Sequence, residues 1–339
     1  MVTINSKQLK EVLQIMVPKK EPILVVGTPG VGKTDIVLQV TKELDADIII
    51  MHPVTSDPTD FKGFPVNTFN QEKERDEAHF LPFGDLQKLI DATKLTVCFF
   101  DDFGQAPPSV QAAAMQLILG RRINGFKVSD EVVFIAATNR KQDRAGVNGI
   151  LEPVKSRFTI FSMVPDLEGW CEWALKTDIH PALIQFIRYR PSLLNDFNPT
   201  SDMSNSPNPR TIATCSRHLK LSMSKDIEFA SLVGAAGEGF AIELSAFIDI
   251  YRALPDADSI INEPKKFKAP KELDKLFAIC GAISYRVTKE NFANIIEISE
   301  KLTADFRIMM IKDCLIRNSE LVKTDEFREW VKNNKDFIL

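Results

Sequence analysis

Hydrophobic residues along this 339-residue chain follow two periodicities, and the change comes near Pro165. Before that point, short apolar runs alternate with helical patterns, which predicts parallel strands connected by helices. The runs that we interpret as buried strands are residues 23–26, 47–51, 95–102, 131–137 and 158–163. After Pro165 the apolar spacing is helical throughout. We therefore expect an α/β unit followed by helical regions.

The first helix is predicted over residues 7–16, with Ser6 as its N-cap and Pro18 ending it. Its apolar stripe includes Leu9 and Leu13. Such a stripe either packs in the core or lines a pocket for an adenine ring, and spacing alone does not separate the two.

A glycine-rich segment connects the first predicted strand to the next helix, and its sequence is G-T-P-G-V-G-K-T. A strand, then G-x-x-x-x-G-K-T, then a helix is the context of a phosphate-binding loop. Its glycines let backbone N–H groups converge on an anion, and the helix start adds partial positive charge. Lys33 is expected to reach the β- and γ-phosphates of ATP, and the Thr34 hydroxyl to bind Mg²⁺. The predicted nucleotide-binding residues are Gly27, Thr28, Pro29, Gly30, Val31, Gly32, Lys33 and Thr34.

Two later strands deliver polar side chains to the same edge of the predicted sheet. Asp101 and Asp102 end one apolar run, and Asn139 follows the next. We expect Asp101 to hold the Mg²⁺ shell and Asp102 to orient the attacking water. Asn139 either contacts the γ-phosphate or the water, or serves only as a turn former.

Composition and net charge disfavour a membrane-spanning protein and a general nucleic-acid binder. With 44% hydrophobic and 26% charged residues the chain has an ordinary globular composition, and no apolar run approaches a membrane span. The net charge of −4 disfavours general attraction to nucleic acid. The basic cluster at residues 264–271 is interpreted as a solvated linker rather than a nucleic-acid contact. Five scattered cysteines and the lack of a signal-peptide core predict core thiols in a cytoplasmic protein without a bound transition metal.

Several segments together resemble one family. These are the loop, D-D-F-G-Q-A-P-P-S-V-Q-A-A at residues 101–113, A-A-T-N-R at 136–140 and S-R-F at 156–158. They resemble an AAA+ ATPase of the MoxR-like, helix-2-insert group, well over residues 20–165 and more weakly to about residue 250. The resemblance implies an α/β P-loop NTPase fold, a three-layer sandwich with parallel sheet order 5-1-4-3-2. It also implies a helical lid, a helical C-terminal region and assembly as a ring, commonly a hexamer.

The resemblance also assigns roles to single residues. Lys33 and Thr34 belong to Walker A and Asp101 to Walker B, while Asn139 becomes sensor 1. Arg157 matches the arginine finger and Arg210 matches sensor 2. The implied domains are a nucleotide-binding core at 1–164, a lid at 165–258 and a helical region at 259–339.

The implied helix-2 insertion spans about residues 61–84 and reads as a solvated hairpin or a partner-contacting loop. Its phenylalanines are interpreted as buried anchors in preference to client contacts. They are Phe61, Phe64, Phe69 and Phe80.

One position departs from the family pattern, in which the Walker B strand usually ends in Asp-Glu. Here the second acid is Asp102, one methylene shorter, and catalytic geometry tolerates little displacement. Slow hydrolysis is therefore a hypothesis for this chain.

The leading functional hypothesis is a ring-forming, Mg²⁺-dependent ATPase that remodels a protein partner. By resemblance, its client is a protein with a von Willebrand factor A domain. One alternative is a nucleic-acid motor or loader, which would need a basic lumen. The other is a nucleotide switch with little turnover, favoured if Asp102 fails as a catalyst.

Overall fold

A computed structural model of the chain describes residues 2–143, 146–198 and 202–334. The chain divides into two units, residues 1–164 and 165–339. Within the described ranges, no helix has the length and apolar character needed to cross a membrane.

The described part of the first unit contains ten strands and six α-helices. The strands are β1 (Val2–Ile4), β2 (Ile23–Gly27), β3 (Asp47–Met51), β4 (Phe64–Asn70), β5 (Arg75–Leu81), β6 (Thr96–Phe100), β7 (Arg122–Ile123), β8 (Phe126–Lys127), β9 (Val132–Thr138) and β10 (Thr159–Met163). The helices are α1 (Ser6–Met16), α2 (Lys33–Glu43), α3 (Pro58–Lys62), α4 (Gly84–Asp91), α5 (Pro108–Gly120) and α6 (Glu152–Lys155).

The main sheet is parallel and has the order β1-β10-β2-β9-β6-β3. The five strands from β10 to β3 follow the expected order 5-1-4-3-2, counting the predicted strands along the chain. The expected count of five was wrong, because β1 adds a sixth strand beside β10. This strand has three residues of which only Ile4 is buried, so no apolar pattern marks it.

Alternate side chains of the central strands divide the core between the two faces of the sheet. On one face, β2 and β6 pack with Leu9 and Leu13 of α1, so this stripe lies in the core. On the other face, their alternate residues pack with α4 and α5. The predicted N-cap of α1 was wrong by one residue: Asn5 accepts from the Gln8 backbone N–H at 2.8 Å, and the Gln8 side chain accepts from Asn5 N–H at 3.0 Å.

The predicted insertion contains an antiparallel hairpin of β4 and β5, with Phe64 paired to Leu81 and Asn70 to Arg75. The buried-anchor interpretation holds for Phe61, which is fully buried. It was wrong for the other three: Phe64, Phe69 and Phe80 are 58%, 61% and 39% exposed. The hairpin forms a two-stranded sheet separate from the main sheet, and these three rings are exposed.

The second unit is helical. Its α-helices are α7 (Leu167–Lys176), α8 (Pro181–Tyr189), α9 (Pro209–His218), α10 (Lys225–Ala236), α11 (Glu238–Arg252), α12 (Ala257–Asn262), α13 (Leu273–Tyr285), α14 (Phe292–Ser299), α15 (Ala304–Arg317) and α16 (Asp325–Asn333). A buried ion pair joins Arg188 on α8 to Asp313 on α15, with N–O distances of 2.5 and 2.7 Å. This pair connects residues on both sides of the expected boundary at residue 258, which stays a prediction.

Candidate nucleotide site

The loop between β2 and α2 has a backbone that only glycine adopts readily at two positions. Gly30 has φ 74° and Gly32 has φ 99°, both in the left-handed region. Gly27 is required for a different reason: a Cβ there would lie 2.9 Å from the Met163 carbonyl oxygen of β10. The glycines therefore shape the loop and let it pass close to the neighbouring strand.

Lys33 is buried at the start of α2 and points back into the loop. Its Nζ donates to the carbonyl oxygens of Gly27 and Thr28 at 2.9 and 3.1 Å, and to Asn139 Oδ1 at 2.8 Å. Thr28 Oγ1 is buried and has no hydrogen-bond partner among the described residues. The loop thus holds a buried cation beside an unpaired hydroxyl, a combination that suits an anionic ligand.

Thr34 and Asp101 meet across the loop and the end of β6. Thr34 Oγ1 donates to Asp101 Oδ2 at 3.0 Å, and the Asp101 N–H donates to the Met51 carbonyl of β3 at 3.0 Å. A hydroxyl and a carboxylate are the oxygen ligands that Mg²⁺ takes together with nucleotide phosphates. These two residues therefore fit the magnesium site expected of them.

Asp102 joins the same group of side chains through Asn139. Asn139 Nδ2 donates to Asp102 Oδ1 at 3.2 Å, while its Oδ1 accepts from Lys33. The structure therefore brings together the loop lysine, the second acid and the residue after β9. Asn139 bridges a cation and a carboxylate, which is more than a turn former needs.

A cavity of about 540 Å³ opens beside the two acids. It is lined by His52, Val54, Thr55, Asp101, Asp102, Gln105 and Gly146. Sequence reasoning missed His52 and Gln105 as site residues. The register of β3 with β6 pairs Met51 with Phe100, so His52 and Asp101 leave the sheet side by side. His52 could be recognised as a site residue only from the pairing of β3 with β6, and that pairing belongs to the tertiary structure.

Arg157 follows α6, and its side chain is exposed, with no ion pair or hydrogen bond within the described ranges. Sequence reasoning also missed the residue that holds the segment before it. Buried Gln111 of α5 donates to the Gly149 carbonyl at 2.8 Å and accepts from the Leu151 N–H at 3.2 Å. Gln111 thus fixes the segment that leads into α6 and Arg157.

The two other arginines near the predicted motifs are placed differently. Arg140, directly after Asn139, is bound to buried Asp143 through its side chain at 2.8 Å and its backbone N–H at 3.1 Å. Arg210 belongs to the second unit, in the first turn of α9, and its side chain is exposed. Its expected role toward the nucleotide stays a prediction.

Comparison with known sequences finds one matching family. Residues 23–165 match the sequence model of the family described as "ATPase family associated with various cellular activities (AAA)". Residues 23–165 are therefore similar to an AAA ATPase domain, and the first unit has the P-loop AAA+ fold. No curated protein matches the sequence.

Solved structures give distant likenesses. A RuvB mutant from Thermotoga maritima is 16% identical, with 82% of each chain covered and a TM-score of 0.43. A putative ATPase from Cytophaga hutchinsonii is 14% identical, covering 100% of this chain and 91% of its own, at a TM-score of 0.36. NtrX from Brucella abortus in complex with ADP is 14% identical, with 97% of this chain and 68% of the NtrX chain covered and a TM-score of 0.42. Likenesses at these scores assign no function.

Proposed function

We propose that this protein is a Mg²⁺-dependent ATPase that hydrolyses ATP to ADP and phosphate as a ring of its own copies, in the manner of the MoxR-like group. The observation that carries the proposal is the hydrogen-bonded series Lys33, Asn139 and Asp102 beside the Thr34–Asp101 pair. This arrangement supports the proposal because it gathers a lysine, a hydroxyl and two carboxylates at one sheet edge, which is the set of groups that phosphate binding, Mg²⁺ binding and water orientation require.

Each side chain then has a task. Lys33 pairs with the β- and γ-phosphates, and Thr34 and Asp101 hold the metal that neutralises their charge. Asp102 accepts a hydrogen bond from the attacking water and aligns it with the γ-phosphorus. Asn139, held between Lys33 and Asp102, contacts the γ-phosphate or that water.

Arg157 is proposed as the finger that completes the site of a neighbouring copy. Its exposure and its lack of a partner within the described ranges support this role, whereas Arg140 is committed to Asp143. A finger is worth roughly 10³–10⁵ in rate, so hydrolysis would depend on assembly. Arg210 is proposed as sensor 2 on a lid of residues 165–258, with residues 259–339 as a further helical region.

The work of the ring is proposed to be chaperone-type remodelling of a protein client, and a von Willebrand factor A domain is the first one to test. The exposed rings of Phe69 and Phe80, which share one face of the β4–β5 hairpin, support a protein contact. Five free, buried cysteines are consistent with a reducing compartment such as the cytoplasm.

The test is phosphate release against protein concentration for the wild type, Lys33→Ala and Arg157→Ala. Arg122→Ala is the matched control, because Arg122 is also an exposed arginine of the first unit. We expect the specific activity of the wild type and the control to rise with concentration. Lys33→Ala should lose nucleotide binding, and Arg157→Ala should bind nucleotide but hydrolyse at least 10³-fold more slowly.

Other outcomes point elsewhere. Tight ATP binding without turnover at any concentration would make the protein a nucleotide switch. Activity that is independent of concentration and unaffected by Arg157→Ala would contradict the ring with a finger acting between copies.

A further inference from the structure

The backbone of Asp102 is left-handed, with φ 55° and ψ 34°. This conformation brings Cβ close to the carbonyl oxygen and is unfavourable for most residues. Asn and Asp adopt it more readily, because their short polar side chains bond locally. The backbone of Asp102 is held in this turn by two bonds: its N–H donates to Asp101 Oδ1 at 3.1 Å, and its carbonyl accepts from the Gln105 N–H at 2.9 Å.

The residues that follow impose this turn. Phe103 is fully buried and stacks on Phe100, the last residue of β6, with ring centroids 5.5 Å apart. Gly104 passes so close to Thr138 of β9 that a Cβ would lie 2.2 Å from Thr138 Oγ1. The chain must therefore reverse within Asp101 and Asp102 to return an aromatic ring to the core. A strained conformation persists where its surroundings over-determine it in this way.

The turn also sets where the carboxylate lies. Asp102 Oδ1 is 3.2 Å from Asn139 Nδ2, and Asn139 Oδ1 is 2.8 Å from Lys33 Nζ. The Asp102 carboxylate is thus connected to Lys33, the lysine of the phosphate-binding loop, through the side chain of Asn139 alone. A glutamate on the same backbone would move the carboxylate by more than about 1 Å, a displacement that costs roughly 100-fold in catalytic rate.

We infer that position 102 is built for an aspartate. The left-handed turn and the hydrogen bond from Asn139 form a site matched to the shorter acid, and glutamate at this position would both strain the turn and misplace the carboxylate. Aspartate here is thus a fitted part of the site and does not by itself predict slow turnover. The inference rests on the proposed function only where it concerns hydrolysis.

The test compares Asp102→Glu, Asp102→Asn and Asp45→Glu with the wild type. Asp45 is the matched control: its φ is 51°, it is exposed, and it lies outside the nucleotide site. Thermal unfolding without nucleotide should show Tm lowered by roughly 2–4 °C in both glutamate variants and unchanged in Asp102→Asn. In phosphate release, Asp45→Glu should match the wild type and Asp102→Glu should be slower by about 100-fold. Asp102→Asn should also be slower by about 100-fold or more, with nucleotide binding intact.

Two results would overturn the inference. One is a Tm of Asp102→Glu equal to that of the wild type, together with a lowered Tm of Asp45→Glu. The other is Asp102→Glu hydrolysing ATP as fast as the wild type or faster. If the wild type binds ATP but never hydrolyses it, the hydrolytic part of the proposed function fails. The melting comparison then decides the inference on its own.

Discussion

Polar side chains of the site are held by partners far away in the sequence. Lys33 and Asn139 are 106 residues apart, and Thr34 and Asp101 are 67 apart. Each of these contacts forms because β2, β6 and β9 are adjacent and parallel, so their carboxyl ends meet at one edge. A substitution at one of these residues is therefore expected to disturb the position of its hydrogen-bond partner as well.

Thr34 offers the sharpest test of the magnesium site. The hydroxyl donates to Asp101, and we expect it to become a metal ligand when nucleotide binds. Thr34→Ala should therefore lose the gain in ATP affinity that Mg²⁺ brings to the wild type, a gain of about tenfold or more. Titration with a fluorescent ATP analogue, with Mg²⁺ and with EDTA, measures this difference.

Thr34→Ser is the control, because it keeps the hydroxyl and should keep the Mg²⁺ dependence. An alanine variant that binds ATP as strongly as the wild type in Mg²⁺, and as weakly in EDTA, would remove Thr34 from the metal site.

Among the elements, the β4–β5 hairpin carries exposed phenylalanine rings. Phe69 lies on the same face as Pro65, and Phe80 is paired with Pro65, so the two rings share one face. A two-stranded hairpin is marginally stable by itself. Rings exposed on such an element are expected to serve a contact with another protein.

Replacing both Phe69 and Phe80 with serine should leave the Tm and the basal ATPase rate unchanged, because the rings are exposed. It should abolish any stimulation of phosphate release by a purified von Willebrand factor A domain. Asn67→Ser, on the same face, is the control. Loss of assembly in the double variant would instead show that the rings pack against another copy of this chain.

In the second unit, the residue before α8 gives that unit its own pH response. The His180 ring packs against Tyr251 with centroids 5.9 Å apart. Burial, and to a lesser extent the nearby cations Lys220 and Arg252, lowers the pKa of His180 to about 4.

The sign of the effect follows from the unfolded state. An unfolded histidine takes up a proton near pH 6.5, whereas folded His180 does so only near pH 4. The free energy of unfolding therefore falls as pH decreases from about 6.5 to about 4, by at most about 3 kcal/mol from this group. Urea unfolding at several pH values, for the wild type and His180→Phe, measures this contribution.

His180→Phe keeps an aromatic ring against Tyr251 but cannot titrate, so its stability should fall less across this window. His79→Gln, at an exposed histidine of β5, should behave like the wild type. An unchanged slope in His180→Phe would mean that His180 takes up its proton equally in the folded and unfolded chain.

For the whole molecule, the decisive question is whether one copy completes the site of another. The described part of the first unit contains every proposed catalytic group except Arg210, yet Arg157 lies exposed at its surface. In the second unit, the Arg188–Asp313 pair connects the expected lid to the expected C-terminal region. Breaking such a buried pair typically costs about 3–5 kcal/mol, so we expect these two regions to move together.

Mixing inactive variants tests sharing between copies. Arg157→Ala and Asp102→Asn should each be inactive alone. A 1:1 mixture should recover activity at about one interface in four, where the intact finger of one copy meets the intact site of the other. Phosphate release after mixing at several ratios measures the recovery.

The control is a mixture of Lys33→Ala and Asp102→Asn, whose lesions fall in the same site and should not complement. If the first mixture recovers nothing at any ratio, Arg157 does not act between copies.

How far the sequence predicts this protein depends on the range of each interaction. Apolar runs, the loop glycines and the acids after residue 100 specify local structure, so the parallel strands and the phosphate-binding loop could be predicted from the residues, whereas the order of the strands came only from the family resemblance. The β1 strand could not, because three residues with one buried side chain carry no period. The exposure of Phe64, Phe69 and Phe80 could not either, since apolar composition alone does not say whether a partner surface exists.

The sequence by itself determined the class of this protein, because the residues of a phosphate-binding loop are consecutive in the chain. Only the tertiary structure decided how the site is joined. The bridge from Lys33 through Asn139 to Asp102 and the placing of His52 beside Asp101 depend on which strands are neighbours. The left-handed turn at Asp102 depends on Phe103 returning to the core and Gly104 passing Thr138. Those contacts join residues distant in the chain, and no local pattern of residues encodes them.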